Sequence, residues 1–352
     1  MKKLLLFCLA VFQLTVIHAQ DDTQKQLVKE GTELHDKGDY EGAIKKYDEA
    51  IALNNNYLAP YFEKAYSLYA MKKLEDCLAL CQSALARFKE GYELKMMYGL
   101  YGNCLDDMKK PEEALKVYDE GLSKFPDDYL LNYNKAITLN GMGRTDEAIG
   151  YFEKAIAYNP KHASSHKAIC ALMVEKNKIP SLMAGIAFLC YEPQGKRAEQ
   201  VLAIIKGHIG GNVKKEDEKH STITLNIDDL DTGKKGSKKE NSFGIIVLLL
   251  SLSSAIDNDS TLKNTSPESR MSLKVQMLAN VLSENQKGSK GFYWTMYAPF
   301  IIDMKKQNQV ETFAHIAYAS DNTDENNGWL SEHKDDVKVF YDWLKNYQWT
   351  TK

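Results

Sequence analysis

The sequence predicts an all-α protein: an α-solenoid of stacked helical hairpins followed by a helical C-terminal domain. Three observations carry that reading: a phrase that keeps returning, columns of small residues in register with it, and an abrupt change of composition near residue 210. The phrase is GDYEGAIKKYDEAI at 38, and it returns loosely as KKLEDCLALCQSAL at 72, KKPEEALKVYDEGL at 109 and GRTDEAIGYFEKAI at 143. A period in the thirties belongs to architectures in which one small unit stacks on the next.

The columns explain how such units pack. Gly31, Ala65, Gly102, Ala136 and Cys170 stand 34, 37, 34 and 34 residues apart. A second column, Ala43, Cys77, Ala114, Ala148 and Leu182, is small in four of five cases. Four residues later come Tyr47, Cys81, Tyr118, Phe152 and Ile186, and three beyond those Ala50, Ala84, Gly121, Ala155 and Leu189. Spacings of three and four hold these positions on one helix face. Small residues let two antiparallel helices approach at their crossing, and the large ones are expected to fill the groove between neighbouring hairpins. NNN at 54, FPDD at 125 and NPKH at 159 supply turn chemistry between units.

With this period and these columns the chain resembles the tetratricopeptide repeat. Four repeats are expected at 24–57, 58–91, 95–128 and 129–162, with three extra residues, Tyr92 to Leu94, before the third. A degenerate fifth unit covers 163–194, where Leu182, Ile186 and Leu189 enlarge the columns and Pro180 opens the second helix. GKRAEQVLAIIKGHI, 195–209, is expected to cap the stack.

The domain plan is therefore a leader at 1–19, a solenoid at 20–209, a charged linker at 210–242 and a helical domain at 243–352. Within the linker only STITLNI at 221 alternates like a strand, and a short hairpin there is the alternative. FGIIVLLLSLSSAI, Phe243 to Ile256, is apolar nearly all round and is expected to be a buried central helix. Ser266-Pro267-Glu268 combines a cap, a first-turn proline and an acid at a helix start, for a helix running to about Asn285. Three more helices follow, the last from about Ser331 to Tyr347, and all four tryptophans, Trp294, Trp329, Trp343 and Trp349, lie in this block.

MKKLLLFCLAVFQLTVIHAQ has the basic start, the apolar run and the small-residue exit of an export signal, with cleavage expected after Ala19. The apolar run is shorter than the roughly 20 residues of a membrane span. Export would place the mature chain in the periplasm or outer envelope of a Gram-negative bacterium, without an integral span. An oxidising compartment permits disulfides, and beyond the leader there are five scattered cysteines: Cys77, Cys81, Cys104, Cys170 and Cys190. Three of them fill packing columns and read as small buried hydrophobes, with a single disulfide left open.

A net charge of -3 offers no draw toward nucleic acid. No HExxH, GxSxG, phosphate loop or paired zinc cysteines occur, so no catalytic residue, cofactor or metal site is expected. His162 and His166 could share a helix face, but His166 falls in the column of Leu27, Tyr61, Tyr98 and Asn132, where a packing histidine is expected. The acidic stretch DNTDENN at 321 reads as a solvated turn.

In the family resembled, the first helix of each hairpin lines a concave groove for an extended peptide or a partner helix. Carried over by column, the partner-binding candidates are Phe62, Tyr66, Tyr69, Asn103, Tyr133, Asn134 and Lys167, with Met96, Leu130 and Ile137 beside them. Rings would bury apolar side chains, and the amides would hold unpaired backbone groups. Chaperone-tail binders of this family grip a terminal carboxylate. Asn103, Asn134 and Lys167 match their columns, whereas Gly99 and Ser164 stand where that clamp uses cations. The resemblance thus implies a non-enzymatic scaffold or adaptor for a protein or peptide partner. The alternative is a ligand-binding or enzymatic C-terminal domain, its pocket near Trp294 and Trp329, to which the repeats recruit substrate.

Overall fold

A helix over residues 21–36, α1, begins a run of antiparallel hairpins in a computed structural model that describes residues 21–210, 213–215, 221–223, 243–256 and 265–350. The expected leader and most of the expected linker lie outside the described residues. Then follow α2 (Tyr40–Leu53), α3 (Ala59–Ala70), α4 (Leu74–Arg87), α5 (Glu93–Asp107), α6 (Pro111–Lys124), α7 (Tyr129–Gly141) and α8 (Thr145–Tyr158). The chain divides into two compact units, one up to Tyr151 and one from Phe152 on, so the division falls inside α8.

In the first unit two of the hairpins are closed by a tyrosine ring lying on a glycine. A Cβ on Gly102 would sit 2.2 Å from Cε1 of Tyr118, and one on Gly31 would sit 2.4 Å from Cε1 of Tyr47. Both rings are fully buried. The large residue therefore packs against the small residue of its own hairpin, which corrects the expectation that it fills the groove between hairpins. The second hairpin is built differently: alanine stands in place of glycine at Ala65 and cysteine in place of tyrosine at Cys81, both buried.

The turn inside each hairpin repeats as strictly as the core. Gly38, Lys72, Lys109 and Gly143 are all left-handed, with φ of 83°, 60°, 63° and 79°. At each, the next residue's amide reaches back to a leucine carbonyl: Asp39 to Leu34, Lys73 to Leu68, Lys110 to Leu105 and Arg144 to Leu139, all at 2.9 Å. This is the six-to-one closure that satisfies orphan carbonyls at a helix end. Between the second and third repeats the extra residues are split. Tyr92 is exposed in a turn that contains Gly91 at φ 133°, while Glu93 and the buried Leu94 lengthen α5.

The second unit is organised around α10. Its elements are the end of α8, α9 (Ala163–Met173), α10 (Lys178–Tyr191), α11 (Lys196–Gly210), α12 (Gly244–Ile256), α13 (Pro267–Asn285), α14 (Phe292–Lys306), α15 (Val310–Ala317), a 3-10 turn (Tyr318–Asp321), α16 (Asp324–Glu332) and α17 (Lys334–Asn346). Every residue of α10 from Ile179 to Cys190 is buried, and α9, α11, α12, α14 and α15 surround it. This corrects the expectation for Phe243–Ile256: α12 leaves Ile245 61% exposed and flanks the core. A helix apolar on all sides needs cover on all sides, and α10 receives it from the C-terminal helices. Hence α11 is no terminal cap, since α12 and the 3-10 turn pack on it and Lys206 pairs with Asp321.

A two-stranded antiparallel pair, β1 (Val213–Lys215) with β2 (Ser221–Ile223), lies beside α12 in the register Val213 opposite Ile223. It favours the hairpin alternative for that stretch. Ser266 caps α13, its side chain accepting from Ser269 N at 3.1 Å. The expected last helix is α17, which starts at Lys334, and α16 before it is an additional helix that ends at Glu332. The acidic stretch at 321 is a left-handed turn at Asn322, followed by Thr323 capping α16.

Two consequences follow for stability. Gly102→Ala should destabilise the chain by about 1–3 kcal/mol through overpacking, and the loss should shrink in a Tyr118→Leu background, as read by a urea-denaturation double-mutant cycle. Lys109→Gly should raise stability by up to about 1 kcal/mol, because a left-handed non-glycine residue is strained, and Gly143→Ala should lower it similarly in the same assay.

Candidate partner-binding groove

Within the first unit the first helices form a continuous row. α3 packs on α5 and α5 on α7, while α4 and α6 pack on these first helices. α3, α5 and α7 thus lie side by side as one row.

Tyr66 on α3 is 45% exposed; its ring stacks on His35 at 4.9 Å and on Phe62 at 6.1 Å. His35 is steadied from the other side, with Nδ1 2.7 Å from Ser67 Oγ. Leu130 and Ile137 on α7 are 41% and 43% exposed, and Tyr133 and Asn134 between them are half-buried. Gly99 is buried beside Asn134: a Cβ there would lie 3.4 Å from Asn134 Nδ2 and 3.8 Å from Leu131 Cδ2.

Other candidates are turned to internal work. Phe62 is buried in the core cluster formed by α3, α4 and α5, so it supports the Tyr66 ring from beneath instead of offering surface. That is a correction to its expected role, and its cause is the apolar surface of α5 packed against α3. The Tyr69 hydroxyl donates to Asp107 Oδ2 at 2.9 Å, and Lys72 approaches the same oxygen at 3.2 Å. Asn103 Oδ1 accepts from the Tyr118 hydroxyl at 2.7 Å, which ties a groove amide to the ring that closes its hairpin. Lys167 lies on α9 in the second unit and is half-buried, whereas the other six candidates belong to the first unit.

One feature escaped the sequence reading. Lys135 on α7 is buried, paired with Asp119 of α6 and donating to the Tyr151 hydroxyl at 2.7 Å. Burial works to lower its pKa, but the bonds to Asp119 and Tyr151 outweigh it and the net shift is upward. Sequence alone showed only a lysine between groove positions.

In the second unit the histidine pair does not form a ligand set. His166 Nε2–H donates to the Pro160 carbonyl at 2.8 Å, which leaves Nδ1 to accept from the Tyr297 hydroxyl at 2.7 Å. Asn132, one repeat earlier, makes the equivalent contact with Pro126 at 3.4 Å. Burial pushes His166 down to about 4, opposed by the Pro160 hydrogen bond and aided by His162. Among the described residues no group of three or more His, Cys, Asp or Glu is placed to hold a metal. Trp294 stacks on Phe243 at 4.7 Å in the core, and Trp329 is sandwiched between His315 and His333 at 3.7 and 4.1 Å. Neither belongs to the open hollow of about 700 Å³ whose lining includes Asp303, Gln309, Asp342, Trp343 and Tyr347.

Two family models match the chain, one described as TPR repeat over residues 31–72 and one as tetratricopeptide repeat over 102–163. These stretches are tetratricopeptide repeats, and the fold they build is an all-α solenoid of that class. The unmatched residues between them hold Cys77 and Cys81 in place of the usual alanine and ring, together with the extra residues. Among curated proteins the chain is similar to the STIP1 homolog of Dictyostelium discoideum, 29% identical over 161 residues, covering 37% of this chain and 28% of that protein. It is similar also to a TPR repeat-containing protein of Methanocaldococcus jannaschii, 28% identical over 158 residues, covering 43% and 28%. The chain spans little more than a quarter of the length of these relatives. Among solved structures, Pseudomonas aeruginosa pilF aligns with 53% of this chain and 82% of its own at 18% identity and a TM-score of 0.46. A thermophilic TPR protein from Thermus thermophilus aligns with 52% and 98% at 14% identity and a TM-score of 0.44.

The buried histidine gives the second unit a pH dependence. In the unfolded chain His166 titrates near 6.5, whereas the folded state holds it neutral down to about 4. The unfolded state therefore binds more protons in that window: stability is fully present above pH 6.5 and is lost as pH falls toward 4, by on the order of 3 kcal/mol. His208, also held down to about 4 by burial and by Lys178, adds the same sign. All four tryptophans lie in this unit, so urea unfolding followed by tryptophan fluorescence reads it selectively. His166→Asn should flatten the dependence.

Proposed function

We propose that this chain is an exported, non-enzymatic scaffold or adaptor of the periplasm or outer envelope of a Gram-negative bacterium. On this reading the concave row α3, α5 and α7 holds an extended protein or peptide partner. Tetratricopeptide repeats are protein-interaction scaffolds, which supports the class. The observation that carries the groove reading is that Tyr66, Leu130 and Ile137, all on first helices, are at least 40% exposed. Apolar surface left to water costs about 25 cal/mol per Å² relative to burial, and a partner that covers it recovers that term. Asn134 provides amide hydrogen bonding for a backbone between the rings. The export reading rests on the N-terminal pattern, and no described helix is long and apolar enough to cross a membrane.

The test is affinity capture from native envelope extract, with the wild-type chain run beside a Tyr66→Ala, Tyr133→Ala, Asn134→Ala variant of equal helicity. The variant should lose tenfold or more of the captured partner, since aromatic hot spots contribute about 1–2 kcal/mol or more each. Undiminished capture by the variant would place the interaction outside the groove. A ligand-binding second unit would instead use the hollow at Asp303 and Trp343.

A further inference from the structure

We propose that Cys77 and Cys104 form a disulfide that ties α4 to α5 across the junction of the second and third repeats. The two sulfur atoms face each other at 2.9 Å, from helices whose sequence positions are 27 residues apart. Both residues are 0% exposed and belong to one core cluster with Cys81. Closing to a bond of about 2.05 Å asks for a shift of under an ångström. Cys81 is the nearest competitor, one turn along α4 from Cys77. Side chains one turn apart on a helix point in parallel, whereas a disulfide needs Cβ atoms directed toward each other. Cys77 Sγ instead meets Cys104 Sγ, which comes from the facing helix α5. Cys170 and Cys190 lie in the other unit.

The chemistry is thiol–disulfide exchange with a low-molecular-weight disulfide. The Cys77 thiolate attacks one sulfur of that disulfide, forming a mixed disulfide and releasing one thiolate. Cys104 then gives up its proton, its sulfur attacks Cys77 Sγ, and the second small thiolate leaves. Two protein thiols are oxidised by two electrons, and one small disulfide is reduced to two thiols. The timing follows from the surroundings. In the folded core the Cys77 contact and then burial hold the Cys104 thiol far above its ordinary range. For Cys77 the Cys104 contact acts downward, but Cys81 and burial leave it raised as well. Folded thiols of this kind are inert, so exchange runs while α4 and α5 are still open, and the finished bond is shielded from reductant.

The bond would lie beside the groove. Tyr69 packs against the same cluster and bridges α3 to Asp107 of α5, so the crosslink would tie α4 to a helix that also carries a groove contact. The inference rests on the geometry of the first unit and not on export; an oxidising compartment only supplies the exchange partner.

The test is to unfold the full chain with reductant, refold it in a mixture of oxidised and reduced glutathione, alkylate it in denaturant with iodoacetamide, and map peptides without reduction. The expected result is a dominant Cys77–Cys104 linked peptide, two cysteines escaping alkylation, and a thermal midpoint that falls on reduction. Cys81→Ser should keep the linked peptide and Cys104→Ser should lose it. Alkylation of every cysteine in the wild-type chain, or a dominant link through Cys81, overturns the proposal.

Discussion

The first unit depends on how closely two helices can approach at their crossing. Tyr118 lying on Gly102, and Tyr47 on Gly31, bring the helices of a hairpin so near that no Cβ fits between them. Other features are arranged around that contact. The Tyr118 hydroxyl holds Asn103 on the groove side, and the six-to-one closures at Leu34, Leu68, Leu105 and Leu139 return the chain at a fixed angle. Stability in such a stack is a sum of units and neighbour interfaces, so each crossing is decided locally and the second hairpin can substitute alanine and cysteine without disturbing the others.

The second unit answers a different constraint. α10 keeps the second-helix position of a repeat but has no polar side from Ile179 to Cys190. A repeat array covers such a helix incompletely; here α14 and α15 complete the cover, and aromatic side chains complete the seams. The Trp349 indole donates to the Tyr191 hydroxyl at 3.0 Å, and its ring stacks on Phe300 at 4.5 Å. The Trp343 indole donates to Asp303 at 2.9 Å. Each indole thus keeps its one donor satisfied while the ring is part-buried, which allows tryptophan to serve as packing material.

Much of this was legible in the sequence. The columns at 31, 43, 47 and 50 located every hairpin, because volume complementarity leaves a trace of size at fixed spacing. The cap at Ser266 was legible because its chemistry is local. What escaped depends on three-dimensional cover. Both Phe243–Ile256 and Ile179–Cys190 are apolar on all sides, and a sequence does not say which of two such helices receives neighbours. The left-handed column was hidden because lysine fills it at 72 and 109 while glycine fills it at 38 and 143. Among the partner-binding candidates, Phe62 and Tyr66, one turn apart, differ in burial for a reason set by α5. Lys135 was invisible as a buried cation because its partners come from two other helices.

The row α3, α5, α7 also has the properties of a ruler. Neighbouring helix axes lie about 8–10 Å apart, and an extended chain advances about 3.3 Å per residue. A strand laid across the row would therefore meet a new first helix about every three residues. Tyr66, Asn103 and Tyr133, one from each helix, would then sample side chains at that interval. On the proposed reading such a surface would discriminate by the rhythm of a partner's sequence as much as by its composition, and each added helix would lengthen the register that must match.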